Sequence, residues 1–413
     1  MRICIFIDGT FIPERDGAST RFAYLPRSLV AAGVDIIVFH CFRGWSNLHK
    51  ISQEPYSTYY FSPQTYYFDH KLLVEILRRE RIDIIQFNDA ESVLSLGKAL
   101  TSSLEVRVVY EAHYHTSTLA EQLGLNTVSI ESLKQLEREA CSYADELIVF
   151  TENDKDRWIH LSGSDARRTS IIPFGISGKT VQPRARQKPK LVFLGNMYFE
   201  PNERAVERIV KEILPAVRTF RPDVNAVIIG DMPEHVRKYC DGHDIELIGE
   251  VPDAKTWISE CSVGLAPISE GSGVRTKILE YLSCGIPVVS STAAAEGLDF
   301  PALFVCDDFQ QYIRICVDLL NGQLSRLSRA NETIAILNKN HLWETVAVEA
   351  KSVYQKIRAT PLRKRSNVAS VHNGLPLWLE EVFKKKRFSE TSIIEPSDFR
   401  YGKADNGKIE TFR

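Results

Sequence analysis

Pro267-Ile268-Ser269-Glu270-Gly271-Ser272-Gly273-Val274-Arg275-Thr276-Lys277-Ile278-Leu279-Glu280 reads as the end of a strand, a glycine-rich turn and the start of a helix that continues through Leu282. Repeated along a chain, that order gives parallel α/β architecture. The free backbone N–H groups of such a turn, with the positive end of a helix behind them, form an anion site. Gly271 and Gly273 let the backbone approach a phosphate closely, because no Cβ intervenes. Arg275 and Lys277 add two positive charges at the same helix end, one suited to bidentate contact and the other a point charge. Glu280 follows Arg275 by five residues, about 7 Å along the axis at about 1.5 Å per residue. That offset suits a diphosphate at the helix start and the vicinal hydroxyls of a ribose farther on, since a carboxylate accepts from both hydroxyls at once. A solvated surface with Lys277 and Glu280 as an i,i+3 pair would leave the glycines and the preceding strand unexplained.

Outward from this stretch, short runs rich in Ile, Val and Phe alternate with amphipathic segments, as in parallel α/β proteins. Strands are expected near 2–7, 34–40, 82–87, 106–111, 146–150 and 169–173, and again near 191–194, 226–229, 246–248, 263–267, 287–290 and 303–306. A helix over 21–32 carries Phe22, Leu25, Leu29 and Val30 on one side and stops at Gly33, a suitable residue just past a helix end. Between 177 and 190 the pattern breaks into a polar, Pro-flanked linker. Two series predict two Rossmann-like lobes, residues 1–176 and 191–340, whose parallel sheets face each other across a ligand-binding cleft. Residues 341–360 read as a helix crossing back to the first lobe. The region 44–70, with Trp45, Tyr56, Tyr59, Tyr60, Tyr66 and Tyr67, has no clean period and reads as a long surface loop or a carbohydrate-facing insertion.

The length of 413 residues agrees with two domains of about 100–200 residues each. Hydrophobic residues at 44% and charged residues at 25% are close to globular averages, which excludes wholesale disorder and fibrous repeats. A net charge of −2 provides no global basic field for nucleic acid, so no nucleic-acid partner is expected and an anionic ligand must be caught locally. The eight cysteines form no Cys-x-x-Cys pair and read as reduced, buried thiols of a cytoplasmic protein. The apolar run at 3–7 is shorter than a signal-peptide core, and no stretch reaches the about 18 apolar residues of a membrane span. The tail, 361–413, holds eleven basic and seven acidic residues, with Leu375, Trp378, Leu379, Val382 and Phe383 at helical spacing beside Lys384-Lys385-Lys386-Arg387. Two readings stand: an interfacial helix making peripheral contact with anionic lipid, or a helix packed on the first lobe followed by a loose tail.

No Asp-x-Asp closes a strand, and Asp307-Asp308 opens a helix, so N-capping is expected there rather than a metal site. Neither lobe's first strand is followed by Gly-x-Gly-x-x-Gly, which disfavours nicotinamide chemistry. His113 and His115 follow the apolar run 106–110 at the carboxyl end of a strand, where cleft residues sit. His40, His70 and His341 have no comparable setting and read as structural.

The 267–280 run resembles the donor-binding signature of retaining glycosyltransferases of family 4, which have the two-lobed GT-B fold, in the variant Gly-x-Gly-x-Arg-x-Lys-x-x-Glu. The likeness extends in order over about 350 residues. Gly17 and Arg21 match a Gly-rich first loop and an Arg on the first helix; Ile171-Ile172-Pro173-Phe174-Gly175 matches a hinge, with Phe174 in place of Asn. Gly195-Asn196-Met197-Tyr198-Phe199-Glu200-Pro201-Asn202, Cys284-Gly285-Ile286-Pro287 and Glu296-Gly297-Leu298 complete it.

The resemblance implies a hexosyltransferase-type enzyme that moves a sugar from a nucleoside diphosphate to a hydroxyl with retention, in glycan, glycolipid or natural-product biosynthesis. No cofactor or metal is implied; the nucleotide sugar is a co-substrate. The first lobe would bind the acceptor, a sugar, lipid-linked glycan or small molecule, and the second the donor. Arg275, Lys277 and the Gly271–Val274 turn would hold the diphosphate, Glu280 the ribose, and Glu250 and Val251 the base, with Gly195 and Asn196 alongside. Gly17, Arg21, His113 and His115 would face the sugar or acceptor. The commoner pattern places a second Glu eight residues before the ribose-binding one, where this chain has Ser272. Sugar contact would then pass to the Gly271–Val274 amides, to Ser272 or to Glu270, which is two residues out of register. A GT-B nucleotide-sugar epimerase or coupling enzyme, and a catalytically silent GT-B protein that binds a partner transferase, are the alternatives.

Overall fold

The computed structural model describes residues 1–8, 12, 17–42, 47–113, 115–122, 124, 126–163, 168–178, 180–181, 189–271, 273–322, 326–362 and 400–412. Parallel strands β1 (Arg2–Asp8), β2 (Asp35–Cys41), β3 (Ser57–Phe61), β4 (Ile84–Phe87), β5 (Arg107–Glu111), β6 (Glu146–Val149) and β7 (Thr169–Ile171) form the first sheet in the order β3-β2-β1-β4-β5-β6-β7. The second sheet comprises β8 (Lys190–Leu194), β9 (Asn225–Ile229), β10 (Ile245–Gly249), β11 (Val263–Ala266), β12 (Val288–Ser290) and β13 (Leu303–Val305), ordered β10-β9-β8-β11-β12-β13 and parallel throughout. The molecule therefore has the two-lobed, Rossmann-like GT-B architecture.

Strand β1 shows why its sheet is parallel. Ile3 through Ile7 are all buried, with Cys4 between Ile37 and Ile85 on the neighbouring strands; a strand covered on both faces needs no polar alternation. Phe6 packs on one face with Phe39 and Phe87. Ile5 belongs to the other face, with Leu25 and Leu29 of the helix Gly17–Ala31 and Tyr354 of the helix Trp343–Ala359. The latter helix begins beside the hinge, where Ile176 N–H donates to His341 O at 2.6 Å, and crosses onto the first lobe, where Lys351 Nζ donates to Ala32 O at 2.6 Å. The first helix begins four residues earlier than hydrophobic periodicity indicated, because Gly17-Ala18-Ser19-Thr20 carries no apolar stripe to read.

Two expectations are corrected. The 44–70 region is largely regular structure rather than loop: it contains β3 and the helices Leu48–Ser52 and Pro63–Phe68, and Tyr56, Tyr59, Tyr60 and Tyr66 are buried. Aromatic side chains favour half-buried pleated surface, and here their hydroxyls find partners, Tyr59 on Glu80 at 2.5 Å and Tyr60 on Glu410 O at 2.9 Å. The tail does not end loosely. Strands β14 (Tyr401–Asp405) and β15 (Lys408–Phe412) extend the first sheet antiparallel beyond β3. Their Asn406-Gly407 turn has φ of 47° and 75°, the left-handed pair that a two-residue hairpin requires. Residues 182–188 of the linker, Trp45, and the tail stretch from Leu375 through Arg387 lie outside the described residues. All eight cysteines are buried thiols that form no disulfide. Asp308 caps its helix by accepting from Gln311 N at 2.8 Å. Among the described residues no helix is long and apolar enough to cross a membrane.

Candidate active site in the cleft between the lobes

Strand β11 is buried along its length and delivers the chain to the turn before the helix Thr276–Ser283. Gly271 has a φ of 107°, and a Cβ there would stand 2.5 Å from Arg275 Nη2. Arg275 is folded under the turn, donating to Gly273 O at 2.9 Å and Glu270 O at 3.2 Å. Its guanidinium thus staples the loop while placing its charge beneath the backbone. Burial pulls its pKa down against the opposing fields of Glu296 and Asp154. Among the described residues no side chain caps the helix that follows, so its dipole faces the turn.

Lys277 is buried, with Nζ 2.7 Å from Asn202 Oδ1 and 4.1 Å above the Phe193 ring. Asn202 Nδ2 donates in turn to Asn196 O at 2.9 Å. A Cβ at Gly195 would lie 3.1 Å from Lys277 Nζ and 2.9 Å from Asn202 Nδ2, so the glycine that follows β8 makes room for the lysine. Burial pushes the Lys277 ammonium well below the usual lysine range, Arg275 adds to the push and Glu280 opposes it. Two cations held together at a helix end form a site of high potential for an anion. Glu280 is half-buried and receives no hydrogen bond on its carboxylate among the described residues; burial pushes its pKa up to about 7 against Lys255 and Lys277.

Glu250 is exposed and Val251 half-buried just past β10, whose carboxyl end opens on the same side as those of β8, β9 and β11 because the sheet is parallel. Glu270 Oε1 accepts from Arg204 Nη1 at 2.6 Å, and its Oε2 is buried without a hydrogen-bond partner among the described residues. Ser272 lies outside the described residues.

The first lobe meets this turn directly. A Cβ at Gly17 would stand 2.9 Å from Thr276 Cγ2, so the N-termini of the two lobes' cleft helices converge. Gln122 Oε1 accepts from Gly271 N at 2.5 Å, and Arg157 pairs with Glu296. A cavity of about 360 Å³ lies nearby between Phe150, Thr151 and Phe174 of one lobe and Val274, Leu279 and Leu298 of the other. Its walls are mainly apolar, and Arg275, Lys277 and Glu280 do not line it.

His113 is half-buried at the carboxyl end of β5, its Nε2 3.0 Å from Glu111 Oε2, between the rings of Phe22 and Phe150 at 5.0 and 5.3 Å. Two expected cleft residues are corrected. Arg21 does not face ligand space: it is 1% exposed, with Nε and Nη2 on Glu111 Oε1 at 3.0 and 2.6 Å and Nη1 on Pro173 O at 2.9 Å. A buried guanidinium demands such partners. His115, also 1% exposed, is stacked on Trp158 at 4.0 Å; burial, aided by Arg157, pushes its pKa down to about 3, so it is a neutral packing ring. The residues sequence reasoning missed are Asn202, Phe193, Gln122, Thr276 and Glu111. Thr276 and Asn202 stand within stretches already singled out, without a role of their own, and Glu111 left a trace as an acid closing a buried strand; its partner Arg21 lies 90 residues away.

The family model described as Glycosyltransferase Family 4 matches residues 15–177, and that described as Glycosyl transferases group 1 matches residues 188–321. The chain is 22% identical over 383 residues to a phosphatidylinositol N-acetylglucosaminyltransferase component of Arabidopsis thaliana, covering 85% of this chain and 81% of that protein. It is 28% identical over 114 residues to a phosphatidyl-myo-inositol mannosyltransferase of Propionibacterium freudenreichii, 27% of this chain and 28% of that one. Among solved structures, a sucrose-phosphate synthase from Thermosynechococcus elongatus superposes with a TM-score of 0.67 at 14% identity, over 87% of this chain and 99% of that one. Anabaena HepE in complex with UDP-glucose gives 0.66 at 14% identity, over 86% and 100%. At such identities the structural likeness concerns the fold.

Proposed function

The chain belongs to glycosyltransferase family 4, and from that premise we propose that it transfers a hexosyl group from a nucleoside diphosphate to a hydroxyl of a lipid-linked acceptor, with retention of anomeric configuration. The observation that carries this reading is the turn at Gly271 with half-buried Arg275 and buried Lys277 beside one helix N-terminus. The diphosphate lies against the Gly271–Val274 amides, and Arg275 and Lys277 stabilise the charge that develops as it leaves, in a low-dielectric setting where fixed charges act strongly. Asn202 and Phe193 hold the Lys277 ammonium in place, so little reorganisation accompanies the step.

Glu280 takes the ribose hydroxyls and the base rests near Glu250 and Val251. The Oε2 of Glu270, which has no hydrogen-bond partner among the described residues, supports a role for that carboxylate at the transferred sugar, in place of the acid that the Ser272 position lacks. Gly17 and His113 face the sugar and acceptor from the first lobe, and closure of the lobes completes the site. The lipid-linked acceptor is supported by the two curated relatives, both named for transfer to phosphatidylinositol. A UDP-linked donor is supported by the structural neighbour that holds UDP-glucose. Attack on the face from which the diphosphate departs is supported by the likeness of the 267–280 run to the signature of retaining enzymes.

Thermal-shift titration with UDP, GDP, ADP and dTDP identifies the base, since a ligand that binds only the folded state raises stability. Glu280→Ala and Arg275→Ala are both expected to weaken nucleotide binding without unfolding the protein, and Arg275→Ala also to lower transfer at least about 100-fold, a loss typical of removing one transition-state donor. Wild-type affinity for all four diphosphates in both variants would sink the site.

A further inference from the structure

We propose that Glu111 is a positioning residue for the transfer reaction: its carboxylate holds His113 by Nε2 so that Nδ1 is presented to the cleft, and ties that ring to the hinge through Arg21. The inference rests on the reading that His113 meets the sugar or the acceptor. Glu111 is 1% exposed and closes β5. Both contacts from Arg21, Nε at 3.0 Å and Nη2 at 2.6 Å, converge on Oε1. Charge neutralisation of Arg21 therefore uses one oxygen, and Oε2 is left to accept from His113 Nε2 at 3.0 Å and Gln86 Nε2 at 3.3 Å.

Burial pushes the Glu111 carboxyl up, but Arg21 and the His113 bond outweigh it and hold the pKa at about 2. An ionised carboxylate only accepts. Nε2 must then carry the hydrogen, and in neutral imidazole Nδ1 is the lone-pair nitrogen. Nδ1 makes no hydrogen bond among the described residues, so it is available to accept from a hydroxyl of sugar or acceptor. The Phe22 and Phe150 rings fix the plane of the imidazole.

The same carboxylate is linked to the inter-lobe segment and to the crossing helix. Arg21 also donates to Ile172 O at 3.2 Å and Pro173 O at 2.9 Å in the hinge, and Gln86 Oε1 accepts from Tyr354 of the crossing helix at 2.5 Å. Residues 21, 86, 111, 113, 172, 173 and 354 thus meet in one network, in which the His113 ring and the inter-lobe backbone at 172–173 share a single anion.

Long-range ¹H–¹⁵N correlation spectra of the full chain, with His113→Gln supplying the assignment, should show His113 as the Nε2–H tautomer. An Nδ1–H tautomer in the wild-type protein would overturn the proposal without any reference to activity. Glu111→Gln, whose carboxamide keeps an oxygen for Arg21 and turns its NH2 toward His113, should shift the ring to the Nδ1–H form. It should also lower kcat about 10- to 100-fold, the effect typical of losing an orienting partner, with the donor KM unchanged. Should that variant not fold, Arg21→Met/Glu111→Gln removes the buried charge pair and is read the same way. In a His113→Ala background, Glu111→Gln should cost no further kcat; an undiminished loss there marks Glu111 as merely structural and refutes the proposal. If His113→Ala itself leaves kcat untouched, the placing of His113 in the site fails, and the tautomer measurement still decides what Glu111 does to the ring.

Discussion

Lys277 and Glu280 lie one helical turn apart, and burial shifts their pKa values in opposite directions, the ammonium down and the carboxyl up to about 7. Each is less easily charged in the folded protein than in water, which is the expected condition of groups built to be completed by a ligand. For Glu280 the linkage has a definite sign. A folded-state pKa above the ordinary 4.5 means that the folded state binds the proton more tightly, so its contribution to stability is fully present below pH 4.5 and is lost as pH rises through 7. Glu280→Gln should therefore melt higher than wild type at pH 8, with the difference shrinking toward pH 5; calorimetric scans of both proteins across that range check it, and a pH-independent difference contradicts it. A saturating nucleotide should reduce the gap, because ribose hydroxyls satisfy the ionised carboxylate.

At the scale of elements, the hairpin β14–β15 covers what would otherwise be the free edge of β3, whose Tyr59 and Tyr60 are buried. An uncovered edge with aromatic residues is a template for association. Removal of residues 400–413 should lower the melting temperature and cause concentration-dependent association, seen by light scattering; an unchanged melting temperature and a monodisperse monomer would show that the hairpin is dispensable. The turn and helix at 267–283 were legible because they rest on local chain features: glycines, a strand end and charges within a few residues. The hairpin carried an equally local signal in Asn406-Gly407, but the basic clusters of the tail outweighed it. Tyr59 and Tyr60 misled for another reason: both faces of β3 are buried, so the strand shows no polar alternation.

For the whole molecule, the two lobes touch across the site through Gly17 and Thr276, Gln122 and Gly271, and Arg157 and Glu296. Gln122 occupies the backbone N–H of Gly271, a group that a diphosphate would claim, so donor binding exchanges one hydrogen bond for another. One net hydrogen bond is worth about 0.5–1.5 kcal/mol, and Gln122→Ala should tighten nucleoside-diphosphate binding by about 2- to 10-fold by titration calorimetry. Weaker binding would mean that Gln122 touches the nucleotide instead.

The sequence by itself determined that there are two parallel α/β lobes and singled out one turn as the candidate anion site, because strand periodicity, glycine placement and helix-end charge are properties of neighbouring residues. Only the tertiary structure decided which of the flagged side chains reach the cleft. Arg21 and His115 sit at the right positions along the chain yet point inward, since the orientation of a side chain depends on what packs against it. Glu111 acquires its role from Arg21, Gln86, His113 and the hinge, partners brought together from across the first lobe by folding alone.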